Sequence, residues 1–233
     1  LSLGSLSNSI AIPQTVHLFG IDFDKLSPLM RTHIATQVAM NPTKTFIFWS
    51  EKAMYSFMKE VCSDYVFKAL LAIERELYGK MFKNLVSYYV AYYYGGYQWD
   101  LKSGMLDITK LQMREPLPPL IFATFDTPAQ LEALSNTADP FRRGAISDSL
   151  FVSCVEHPIW LAVIDEAIHR IYALMNQEMT QEEPYFFADI TPKEKRYRMG
   201  KELVSRTTGS IMLTKVLNDP RSLPSWAHLV LPA

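Results

Sequence analysis

The chain has 233 residues, 48% of them hydrophobic and 20% charged, which suits one globular domain with a buried core. Its 23 Lys plus Arg against 24 Asp plus Glu leave a formal charge of -1, which argues against the clustered basic footprint of a nucleic-acid binder. No apolar run is long enough to span a bilayer, and the two cysteines, Cys62 and Cys154, make neither a disulfide framework nor a metal cluster. The opening residues, Leu1 to Ser7, lack a basic region and a long apolar stretch, so no signal peptide is read and the cytoplasm is the most compatible compartment.

Thr15 to Phe19 follows a proline and is rich in β-formers, so it reads as a buried strand. Lys25 to Ala39 reads as a helix, with Leu26, Leu29, Met30, Ile34 and Val38 near helical spacing, and Asn41-Pro42 ends it. Thr45 to Trp49 is a second strand. Ser50 then caps a helix running to about Val61. Phe67 to Met81 and Phe82 to Tyr93 read as two further helices, the second stopped by Gly95-Gly96. Tyr97 to Trp99 is a strand leading into Asp100, and a proline-rich turn feeds another at Leu120 to Phe125. Ile146 to Cys154 is a strand. Pro158 to Met175 is the clearest helix, with Ile159, Val163, Ala167 and Ile171 on one face. Ser210 to Leu217 is helical after Gly209, and Leu229 to Leu231 is a late strand. Strands alternating with helices predict a mainly parallel sheet covered on both faces, in which ligands meet the carboxyl ends of the strands. Asp100 stands at such an end.

Six stretches, in order, resemble the DXD-motif glycosyltransferases that include Golgi outer-chain mannosyltransferases and bacterial capsular polysaccharide transferases. The glucosyltransferase domains of large clostridial toxins are more distant relatives. Ile12-Pro-Gln-Thr-Val-His17 is similar to the family's opening "IPKIIH", and Asn41-Pro42 through Trp49-Ser50-Glu51 to its "NP…yxxWtd". Asn84 to Tyr88 and Tyr94-Gly-Gly-Tyr-Gln-Trp-Asp100-Leu-Lys102 resemble "DllRY…YGGiYlDxD". Ile146 to Ser153 with His157-Pro158 resembles "isNxfxas…gHP", Thr208-Gly209-Ser210 resembles "TGPxxlT", and Val230 to Pro232 the strand after it. The resemblance implies an α/β, GT-A-like fold over residues 1–233 as a single domain, with the C-terminal loop that usually closes the site missing.

It also implies chemistry. Such a family transfers a sugar from a nucleotide-diphosphate sugar to a glycan or protein acceptor. Mn²⁺ or Mg²⁺ on the motif carboxylates stabilises the leaving diphosphate through hard oxygen ligands. Here Asp100 matches the first carboxylate, but Lys102 stands at the second. That leaves Asp100 as the metal-ligand candidate and predicts no tight cation site without nucleotide. The helix Asp is replaced by Asn84 and the helix Arg by Ser87. The base-stacking Trp of the toxin relatives would fall near Gly20, with Phe19 the neighbouring aromatic. Asp148 takes the Asn position near the sugar, and the catalytic candidates are Asp100, Lys102 and Asp148. The donor-binding candidates are His17, Phe19, Asn84, Tyr88, Gly95, Gly96, Thr208 and Gly209. In one reading Lys102 replaces the metal as a fixed positive charge. In another, Asp107 or Asp148 supplies the missing carboxylate. A third reading is a pseudo-glycosyltransferase that keeps the fold to bind a protein partner.

Taken without the resemblance, His17 reads as a buried, hydrogen-bonded strand histidine and His157 as structural before a helix. Neither has a partner at zinc-ligand spacing. The tyrosines from Tyr88 to Tyr97 read as core cover with hydroxyls reaching water, and Lys193 to Arg198 as a solvated face.

Overall fold

The structure is a computed structural model that describes residues 12–72, 75–101, 120–124, 146–175, 200, 203–218 and 229–232. The strands β1 (Thr15–Phe19), β2 (Thr45–Trp49), β3 (Gly96–Asp100), β4 (Leu120–Thr124), β5 (Ile146–Ser153) and β6 (Leu229–Pro232) form one sheet in the order β2-β1-β3-β5-β4-β6. The pairs β1–β2, β1–β3 and β4–β6 are parallel, while β5 runs antiparallel to both β3 and β4. The fold is therefore α/β, with a mainly parallel sheet, as the alternation of strands and helices predicts. The reversed β5 has a consequence for the site. Leu150 pairs with Trp99, so the first residues of β5 arrive beside the carboxyl end of β3.

The period-two alternation of the strands divides the core in two. Val16 and Leu18 of β1, Tyr97 and Trp99 of β3 and Val152 of β5 turn to one face, where α1 (Pro28–Met40) covers them with Ile34. Phe19 and Phe151 turn to the other, under α2 (Glu51–Val61), α3 (Asp64–Ala72), α4 (Arg75–Tyr94), α5 (Ile159–Met175) and α6 (Ser210–Asn218). Ile159, Val163, Ala167 and Ile171 of α5 are all at most 1% exposed. That is the predicted core face of this helix, and burying its Ile and Val side chains stabilises by about 1.5–3 kcal/mol each. No helix of the described residues is long and apolar enough to cross a membrane.

Two helices start elsewhere than the sequence reading placed them. The Ser27 hydroxyl accepts from Met30 N, so α1 opens at Pro28 rather than Lys25. The buried face of α1 then holds Ile34 and Gln37, while Leu29 and Val38 lie outside. Ser63 accepts from Val66 N and opens α3 at Asp64, three residues before the expected start. The next helix, α4, runs unbroken through Phe82, because Met81, Phe82, Leu85 and Val86 are all buried. Ser50 caps α2 as read, accepting from Ala53 N.

At the end of α4 the chain turns sharply into β3. Gly95 and Gly96 have φ of 60° and 78°, in the left-handed region. A Cβ on Gly95 would lie 2.8 Å from Ser153 O and Val155 N, and one on Gly96 would lie 2.4 Å from Thr15 O. Only glycine lets this corner pack against β1 and the end of β5. From it, α4 and β3 run back alongside each other. Twelve helical residues from Lys83 to Gly95 cover about 18 Å, and five strand residues from Gly95 to Asp100 about 16 Å. The matched lengths bring Lys83 to Asp100.

Candidate functional site

The carboxyl end of β3, the start of β5, the middle of α4 and the turn before α6 converge on one cluster. Lys83 Nζ on α4 lies 2.6 Å from Asp100 Oδ2, and both side chains are 26% exposed. Asn84 donates from Nδ2 to Asp148 Oδ2 at 3.4 Å and to the Thr208 carbonyl at 3.1 Å. The Tyr88 hydroxyl, fully buried, donates to that same carbonyl at 2.6 Å. Lys83, Asn84 and Tyr88 thus span about one and a half turns of α4 and address three different chain segments.

The turn that carries Thr208 is held from behind. The Arg170 guanidinium on α5 pairs with Glu166 at 2.7 Å and donates Nη1 to the Arg206 carbonyl. Thr208 N donates to Val204 O and Leu213 N to Gly209 O, joining the 203–207 helical segment to α6. A Cβ on Gly209 would lie 2.8 Å from Ser205 Cα and 3.0 Å from Asp148 Oδ2. The glycine therefore lets the turn close onto the Asp148 carboxylate.

Burial pushes the Asp148 carboxyl above its usual range, and the negative charge of Asp100 adds to that shift. A hydrogen bond from its own backbone, the Lys83 ammonium and the Asn84 amide pull the other way without cancelling it. Asp148 is thus an acid whose proton is held more firmly than that of an exposed aspartate. Burial and the neighbouring Asp148 charge raise the Tyr88 phenol well above its ordinary value, so it remains a neutral donor.

The structure therefore brings together Asp100, Asp148, Asn84, Tyr88, Thr208 and Gly209. Gly95 and Gly96 sit at the far end of α4, at the corner that sets its register with β3. His17 lies in mid-β1, 1% exposed, and its Nδ1 accepts from Trp49 Nε1 at 3.0 Å. Burial lowers its pKa to about 4, against a smaller upward pull from the Gly95 backbone. Phe19 pairs with Asp100 across β1 and β3, but its ring is 3% exposed and stacks on Trp49 at 6.3 Å. Ser87, at the helix Arg position, bonds its own helix through the Asn84 carbonyl at 2.6 Å. Lys102, Asp107 and the Lys193–Arg198 patch lie outside the described residues.

Lys83 is the site residue that the sequence reading missed. Its signal was its place beside Asn84, combined with the equal reach of helix and strand from the glycine corner. Its position also bears on the divalent cation that the resemblance implies. A cation on Asp100 Oδ2 would need the space next to that oxygen, and the Lys83 ammonium fills it. Among the described residues no three His, Cys, Asp or Glu side chains gather as a cation cage. Among the described residues, the donor set does not fit a metal held at Asp100 in this arrangement.

No protein-family model matches the chain, and no curated protein matches it. Among solved structures, a chain described as "PaToxG Glycosyltransferase" is similar, with a TM-score of 0.47 and 13% identity. The similarity covers 88% of this chain and 68% of that one.

Proposed function

We propose that this chain is a glycosyltransferase domain that takes its sugar from a nucleotide-diphosphate donor and passes it to a glycan or protein acceptor. One observation carries the reading. Asp100 and Asp148, with Asn84 and the Thr208-Gly209 turn, meet at the carboxyl end of the parallel strands, where α/β sheets bind ligands. These are also the positions that the resemblance marks. Gln98 bonds the Gly95 carbonyl and Trp99 packs into the α1-side core, so neither takes up the space before Asp100.

In this reading Asp148, whose proton is held above the usual carboxylate range, acts on a sugar hydroxyl. Asn84 orients that carboxylate, and Tyr88 fixes the turn beside it. The test is donor turnover: a panel of nucleotide-diphosphate sugars is incubated with the protein and hydrolysis or transfer is followed. Asp148→Asn is expected to lower the rate on the order of 10²-fold, the usual scale for a positioned acid-base group. No turnover of any donor by the wild type would refute catalysis.

A second reading is a pseudo-glycosyltransferase that keeps the fold to bind a partner. The ion pair favours it, because Asp100 is already engaged by Lys83. It expects binding of a protein partner to be insensitive to Asp148→Asn.

A further inference from the structure

We propose that Lys83 is the resident cation of this site, holding at Asp100 the position a divalent ion would need. A hard divalent ion binds carboxylate oxygen at about 2.0–2.1 Å for Mg²⁺ and accepts oxygen ligands, not an ammonium. The Lys83 Nζ already stands 2.6 Å from Asp100 Oδ2, so ion and ammonium exclude each other. The pair is not an accident of a free surface side chain. Lys83 leaves α4 one residue before Asn84, whose amide is fixed by Asp148 and Thr208, and the Gly95-Gly96 corner sets the reach of β3. Both partners are about three-quarters shielded from water, where a close pair is screened less than at the surface.

The positive charge sought at Lys102 is thus supplied from α4, on the opposite side of Asp100 in sequence. A lysine there is a compact point charge held against the carboxylate at the end of β3. If the cleft receives a diphosphate, Lys83 is the group that meets its oxygens while Asp100 holds the ammonium in place. That last role rests on the proposed function; the exclusion of metal by Lys83 does not.

The experiment is a Mn²⁺ titration, without nucleotide, followed by the electron paramagnetic resonance signal of free Mn²⁺. Wild type, Lys83→Met, Lys83→Arg and the double variant Lys83→Met/Asp100→Asn are compared, with melting curves as the folding control. Lys83→Met is expected to bind Mn²⁺ at least about tenfold more tightly than wild type, a figure discounted for partial exposure. Lys83→Arg should show no gain, and Asp100→Asn should abolish the gain in the double variant. Lys83→Gln carries the same expectation should the methionine variant fail to fold. Equal Mn²⁺ affinity in wild type and the neutral variants, whether tight or absent, would overturn the proposal. So would a gain that survives Asp100→Asn. Nucleotide-sugar binding is measured separately, so its absence would count against the function while leaving the Mn²⁺ result standing.

Discussion

Tyr88 and Thr208, 120 residues apart, are joined by a hydrogen bond of 2.6 Å from the buried phenol to the turn carbonyl. Asn84 donates to the same oxygen, so Tyr88→Phe leaves the acceptor with a partner. The expected loss is about 1 kcal/mol, the ordinary value for a buried hydrogen bond whose acceptor stays satisfied. For a chain this long that is a fall of roughly 2–4 °C in melting temperature. Urea denaturation checks it, and an unchanged midpoint would show that the turn is held without this bond.

The glycine corner predicts a much larger effect. Gly96→Ala places a methyl 2.4 Å from the Thr15 carbonyl oxygen at a φ of 78°. Backbone must move on a central strand pair, and we expect destabilisation of about 3 kcal/mol or more. Because the corner sets the reach of β3, the variant should also lose the Lys83–Asp100 contact. A change below about 1 kcal/mol in chemical denaturation would contradict the packing described.

His17 predicts a pH dependence of stability. Its folded pKa of about 4 lies below the 6.5 of an unfolded histidine, because burial disfavours the charged ring. Between those values the unfolded chain binds the proton and the folded chain does not, so stability falls as pH drops from about 6.5 toward 4. Above 6.5 the histidine contributes no slope. The loss across the window is up to about 3 kcal/mol. Asp148 acts in the opposite sense: its carboxyl is raised, so its favourable contribution is full below the unfolded value and is lost as pH rises through the folded one. The two are separated by comparing wild type with His17→Gln, which keeps an acceptor for the Trp49 indole. The difference between the two denaturation profiles should slope between pH 4 and 6.5 and flatten above; parallel profiles would refute the assignment.

Much of the fold was legible because local chemistry and tertiary structure agree. The strands from Thr15 and Thr45 are short β-rich runs, and the start of α2 is a serine cap. Leu29 and Val38 misled because apolar spacing alone does not say which face of the helix meets the sheet, and the buried face holds Ile34 and Gln37. The reversal of β5 was not legible, since alternation carries no strand direction. Nor was Lys83, whose role depends on two elements of different rise reaching the same point from one corner. Asn84, Asp148 and Thr208 were marked by resemblance, but their mutual hydrogen bonds emerge only once α4 and the turn before α6 are packed.

On the function proposed above, the cluster around Asp100 and Asp148 receives a nucleotide-diphosphate sugar. The direct measurement is melting temperature against donor concentration, with and without Mn²⁺, for wild type and Asp100→Ala/Asp148→Ala. A ligand that binds only the folded chain stabilises it by about 2.7 kcal/mol at 100 times its dissociation constant. A saturable rise of several degrees is expected with at least one such sugar in wild type, and none in the double variant. No rise with any donor, or a rise that persists unchanged in the double variant, would contradict it.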